Sequence, residues 1–241
     1  LPLSDTTYTI GEEVTYEILV TLPEGETTDL SITDELPNGL QYVSSNVVTT
    51  AGGNLSENYA GTTAINSVTG GTTSGEDVTF ELGNTLTTAD GDLNNNSFII
   101  EVTAEVLNEA SNQNGVTLEN TASLSYENPN DASTEVVSDS TPVTITIVEP
   151  ILDIDKSVSS APGLIEGGSI VTYQLDISHN GSSTADAQEV IITDNAQVDI
   201  SAISNVNVVA TGITTPSFEI IGGDSLRVPS NADGTFDMPL G

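Results

Sequence analysis

Short runs in which every second residue is apolar, each bounded by turn residues, leave this chain little choice of fold. In Val14-Thr15-Tyr16-Glu17-Ile18-Leu19-Val20 the side chains of Val14, Tyr16, Ile18 and Val20 share one face of an extended strand, because successive side chains alternate. Further strands are expected over residues 29–33, 77–82, 97–107, 117–126 and 142–148. Pro23-Glu24-Gly25 and Asp34-Glu35-Leu36-Pro37-Asn38-Gly39 have the composition of turns, the second on the strength of Asn-Gly. Residues 50–76, rich in Gly, Thr, Ser and Asn, are expected to form long surface loops with at most one short strand. Helical periodicity is nearly absent, so the pattern is that of an all-β sandwich or barrel.

The pattern also repeats. Gly11-Glu12-Glu13-Val14-Thr15-Tyr16 recurs as Gly168-Ser169-Ile170-Val171-Thr172-Tyr173, and Ile32-Thr33-Asp34 recurs as Ile192-Thr193-Asp194 at nearly the same offset. Two ordered matches of this kind indicate two copies of one module. The boundary is expected near Glu149-Pro150, giving modules over residues 1–149 and 150–241. They are unequal. Nothing after Val228 corresponds to residues 97–148, and the first module begins without a counterpart of Leu152-Asp153-Ile154-Asp155-Lys156. The second module is therefore expected to be truncated or completed by a neighbour, with the leading residues 1–10 of another copy pairing near 217–221 or 224–228.

Charge narrows the partners. Thirty-six Asp and Glu stand against two cationic side chains, Lys156 and Arg227, for a formal net charge of -34. Such a surface repels nucleic acid and anionic lipid. No run approaches the roughly 20 apolar residues of a membrane span. Apolar content is 36%, but the periodic β-branched runs mark a folded chain rather than a disordered acidic one. There is no Cys, so no disulfide staples the fold, and a secreted chain with a large enough core can do without one.

Several short motifs together carry a resemblance. Module one contains Gly11–Tyr16, then Ile32-Thr33-Asp34-Glu35-Leu36-Pro37-Asn38-Gly39-Leu40, then Asn120-Thr121-Ala122; module two contains Lys156 in its first strand, then Gly168–Tyr173 and Ile192–Asp194. In these residues the chain resembles the repeat domain of large bacterial and archaeal surface proteins, the isopeptide-forming fimbrial-type, Ig-like repeat domain. Module two departs from that pattern, with Asn195-Ala196 where Leu-Pro is usual. The resemblance implies two Ig-like β-sandwich modules in tandem, the second incomplete. It also implies an exported, repetitive stalk, adhesin or filament subunit. Lys156 then stands where the family can supply the amine of an isopeptide, Asn120 where it can supply the amide, and Asp34 and Asp194 where it places the acid. The lysine lies in one module and the Asn-Thr-Ala strand in the other, so neither module holds a full set. The plainer reading gives Asp34 and Asp194 turn chemistry and pairs Lys156 with Asp153, Asp155 or Asp194. Tyr16 and Tyr173 are expected to be core aromatics with their hydroxyls bonded at the rim.

Asp90, Asp92 and Asn94 alternate as oxygen donors, and Glu101 falls at the twelfth position of a loop that begins at Asp90, the spacing of a Ca²⁺ loop. The competing reading is an Asn/Asp-rich hairpin turn. Glu149, Asp153 and Asp155, near Asp194, form a second candidate Ca²⁺ site. His179, the sole imidazole, sits before Asn180-Gly181-Ser182, and no constellation points to catalysis. The expected function is an extracellular structural module of a surface fibre, filament or adhesin stalk, partnered by copies of itself or adjacent repeats and by no nucleic acid, membrane or small substrate. A Ca²⁺-dependent adhesin that grips a partner directly is the alternative, and an acidic glycosidase-like enzyme the third.

Overall fold

The computed structural model describes residues 6–137, 140–196 and 202–240, and its regular elements are strands apart from one 3-10 turn, Leu93–Asn95. The chain is all-β and divides into two units, Leu1–Val148 and Glu149–Gly241. Among the described residues no helix is long and apolar enough to cross a membrane.

Unit one contains, in chain order, β1 (Thr7–Tyr8), β2 (Glu13–Thr21), β3 (Gly25–Glu35), β4 (Leu40–Val48), β5 (Gly61–Thr62) and β6 (Ser67–Gly70). These are followed by β7 (Val78–Thr87), β8 (Ser97–Val106), β9 (Thr117–Glu127), β10 (Thr134–Val137) and β11 (Val143–Ile147). One sheet runs β1-β11-β9-β3-β7-β5, with β6 also on β7 and β10 also on β9; the other runs β2-β8-β4. The two sheets enclose one apolar cluster. It takes Val14, Tyr16 and Val20 from β2 and Phe98, Ile100, Val102, Ala104 and Val106 from β8. The larger sheet contributes Leu30 and Ile32, Val78 and Phe80, and Ile145 and Ile147. Phe80 and Phe98 are wholly buried, and each such side chain contributes roughly 2–3 kcal/mol in apolar area removed from water. Tyr59 closes on Phe98 edge to face with ring centroids 5.3 Å apart.

The expected strands are present, with β2, β3, β7 and β9 reaching further than expected and β8 and β11 stopping slightly short of 97–107 and 142–148, and two segments differ. β4 was not expected as a strand, because a bulge between Tyr42 and Ser44 breaks its alternation. Two short strands, β5 and β6, lie in the stretch expected to hold at most one. β1 pairs in parallel with β11 of its own unit, Thr7 against Thr146 and Tyr8 against Ile147. That part of the leading segment is therefore already used and is not free to complete another copy, a correction to the expectation for residues 1–10. Residues 1–5 lie outside the described residues.

Unit two contains β12 (Leu152–Ser160), β13 (Thr172–His179), β14 (Ala187–Val190), β15 (Ile192–Asn195), β16 (Glu219–Ile221), β17 (Ser225–Val228) and β18 (Phe236–Met238). They pair as β12-β13, β14-β18 and β15-β17-β16. β17 has a partner on both sides, so of the two segments named above as acceptors only β16 keeps a free edge among the described strands. Alternation puts Ile154, Lys156 and Val158 on one face of β12, across from Ile177, Leu175 and Tyr173 of β13. Little covers that face: Ile154 is 62% exposed, Val158 57% and Tyr173 43%. Among the described residues, the buried apolar side chains of this unit are Ala185, Ala187 and Val228.

Candidate functional site

The phase of β3 brings a carboxylate into the sandwich. Leu30, Ile32 and Asp34 occupy alternate positions facing the core, and Asp34 is 0% exposed. On the neighbouring strand β9, Ala122 lies opposite Asp34, and Asn120, two residues away on the same face, is 5% exposed. Tyr16 faces them from β2 of the other sheet, 3% exposed. Among the described residues neither Asp34 oxygen, nor the Asn120 carbonyl oxygen, nor the Tyr16 hydroxyl has an aligned hydrogen-bond partner.

Burial pushes the Asp34 carboxyl up to about 7; the Asn120 amide beside it pulls the other way, close enough to favour the charged form though not aligned as a donor, and Asp77 and Glu35 add to the rise. Burial likewise raises the Tyr16 hydroxyl well above the usual phenol range, with Asp34 and then Tyr8 adding to the effect. Three of these four unpaired atoms can only accept a hydrogen bond. The complementary ligand is a compact group with several N–H donors and a positive charge, and unit one has no Lys, Arg or His to supply it.

Unit two shows that arrangement made. Lys156 Nζ lies 2.5 Å from Asp194 Oδ1 on β15 and 5.0 Å from the ring centroid of Tyr173. By motif position Asp194 matches Asp34 and Tyr173 matches Tyr16. The four isopeptide candidates thus fall into two pairs, Asp34 with Asn120 and Lys156 with Asp194, one pair in each unit.

Three expectations need correction. Asp34 belongs to a strand and not to the turn that follows it, since β3 continues through Glu35. The Tyr16 hydroxyl is in the core with no partner among the described residues, not bonded at the rim. Tyr173 is half exposed, because unit two buries little over it. The signal for Asp34 was in the sequence: Leu30, Ile32, Asp34 and Leu36 alternate in one phase, as do Leu118, Asn120 and Ala122.

The candidate Ca²⁺ residues do not converge. Asp90 Oδ1 accepts the Asp92 N–H at 2.9 Å, and Asp92 Oδ1 accepts the Asn94 N–H at 3.0 Å, so this loop spends its oxygens on its own turn. The Asp92 N–H, then the Asn95 amide, hold the Asp90 carboxyl below the usual range. Glu101 sits in β8 opposite Glu17 and within 3.5 Å of the Asn46 amide nitrogen. Asp153 accepts from the Asn180 amide at 2.9 Å, and Glu149 and Asp155 do not join it in an ion site. Among the described residues no group of three or more His, Asp or Glu side chains is placed to hold a metal ion. His179 is a structural tie: Nε2 donates to the Met238 carbonyl at 2.8 Å, and Nδ1 meets Ser183 Oγ at 2.9 Å.

No family model matches the sequence, and no curated protein matches it. Among solved structures the chain is similar to the major pilin subunit BcpA of Bacillus cereus, at TM-score 0.42 and 16% identity over 95% of this chain and 65% of that one. It is similar to the 35 kDa C-terminal fragment of the major pilin GBS80 of Streptococcus agalactiae, at TM-score 0.40 and 14% identity over 99% and 76%. The N-terminal domain of the Streptococcus gordonii adhesin Sgo0707 gives TM-score 0.36 and 16% identity, over 61% of this chain and 31% of that one. The chain thus spans about a third of the Sgo0707 structure.

Proposed function

We propose that this chain is an extracellular structural module of a surface fibre or adhesin stalk, assembling head-to-tail with adjacent repeats. In this reading a lysine-bearing strand from an adjacent repeat completes unit one. The observation that carries it is Asp34, a fully buried carboxylate with no cation and no aligned donor among the described residues. An ionised carboxylate in that position costs several kcal/mol unless it is paired. A second observation points the same way. β2 pairs only with β8 among the described strands, whereas its motif counterpart β13 pairs with β12, the strand that carries Lys156. A strand of the β12 type laid against the open edge of β2 would extend the sheet by main-chain hydrogen bonds and bring an ammonium to Asp34. Contacts of this kind, made from one unit to the next, propagate instead of closing. The acidic surface and the absence of cysteine suit an exported, salt-exposed assembly.

The test uses a synthetic peptide with the sequence of residues 151–160. At millimolar concentration it should raise the thermal midpoint of the chain, as any ligand of the folded state does, and its Lys-to-Met version should not. No shift with either peptide, together with isolated particles in electron micrographs at high concentration, would sink the assembly reading. Glycan binding on an array would favour the adhesin, and polysaccharide hydrolysis the enzyme.

A further inference from the structure

Asp34 also has to be stable when no lysine strand is docked. Its oxygens are cut off from solvent, and no described N–H or O–H is aligned on either of them. The surroundings offer no positive charge. Glu35 follows it on β3, Asp77 precedes β7, Tyr16 faces it from β2 with Tyr8 of β1 beyond, and the neutral Asn120 amide lies on β9. Every titratable neighbour is an acid. Lys156, Arg227 and His179 account for all the basic side chains of the chain, and all three belong to unit two. A proton is the one cation that enters such a site without rearranging the core.

We infer that Asp34 is a proton-binding site that closes the strand-free unit, and that docking of the lysine-bearing strand exchanges this proton for an ammonium group and releases it to solvent. The inference rests on the strand-acceptor reading above and adds its regulation. The balance is simple: a carboxylic acid and an ammonium ion give a carboxylate–ammonium pair and one free proton. Only the O–H bond of Asp34 breaks, and its proton passes to water. The Lys156–Asp194 pair is the product side of this exchange, already formed in unit two. The elevated Asp34 carboxyl, at about 7, sets the range in which the exchange is felt. Below it each unit of pH weakens docking about tenfold, and above it docking is independent of pH, by proton linkage.

Two measurements decide this. Carboxyl NMR titration of the free chain should show one resonance with a midpoint near 7 that is missing from Asp34→Asn; midpoints that all fall in the ordinary carboxylate range overturn the proton site. Calorimetry with the 151–160 peptide, run in buffers of different ionisation enthalpy, counts protons. About one should be released per peptide bound at pH 5.5, almost none at pH 8.5, and none with Asp34→Asn at either pH. Binding without proton release at pH 5.5 overturns the exchange and leaves the strand-acceptor reading standing. A titration midpoint near 7 with no peptide binding at any pH does the reverse: it overturns strand docking, and the exchange with it, while the proton site stands.

Discussion

Asp34 ties the stability of unit one to pH through a single residue. Unfolded, its carboxyl titrates near 3.9; folded, it titrates at about 7. Between those values the folded chain holds a proton that the unfolded chain has lost, so stability falls as pH rises through this window and is flat above it. The full loss is on the order of 4 kcal/mol, at about 1.4 kcal/mol for each pH unit that separates the two midpoints. Repulsion among the other acids also weakens folding as pH rises, so the difference between wild type and a variant isolates Asp34. Asp34→Asn should leave the denaturation midpoint little changed at pH 4 and raise it at pH 7.5; equal midpoints at pH 7.5 would remove Asp34 from the pH response. The residue was legible in the sequence by its phase with Leu30 and Ile32. Its neighbours Leu36-Pro37-Asn38-Gly39 gave it the look of a turn residue, because turn chemistry is read from local composition and burial is not.

At the scale of elements, the turn from β3 to β4 shows how local chemistry and long-range packing meet. Asn38-Gly39 announced a bend, and Gly39 does adopt φ +101. The sequence could not show that Asn112, far along the chain and wholly buried, donates through Nδ2 to the carbonyls of Gly39 and Leu107, each at 2.9 Å. A Cβ on residue 39 would come within 2.1 Å of Asn112 Oδ1. Gly39→Ala should therefore cost about 1–3 kcal/mol, from backbone strain and displacement of that amide, measured by urea denaturation; a loss under about 0.5 kcal/mol would mean that the turn relaxes freely. β4 itself escaped notice because the bulge at Val43 shifts its alternation by one residue.

Across the whole molecule, the two units differ in how much apolar surface they bury. Unit one buries long side chains from both sheets, whereas unit two leaves Ile154, Val158 and Tyr173 largely exposed. Amide hydrogen exchange follows such differences, because strands with few buried contacts open at low cost. Amides of β2, β3 and β8 should exchange many times more slowly than those of β12 and β13, as read by mass spectrometry of peptic fragments; similar rates in both sets would contradict the contrast in packing. The repeat is read from Gly-x-x-Val-Thr-Tyr and Ile-Thr-Asp, which are local signatures. The spent oxygens of the Asp90 loop were not, because ligand spacing alone does not reveal which atoms already have partners. The parallel pairing of β1 with β11 bears on load. The polypeptide enters unit one at β1 and leaves it after β11, two strands that run side by side in the same direction. Tension applied along the chain drags them in opposite senses, so the Thr146-to-Thr6 and Val148-to-Tyr8 bonds are strained together and not peeled apart one after the other. Sharing the pull in that way makes this short pairing a shear clasp across the ends of unit one.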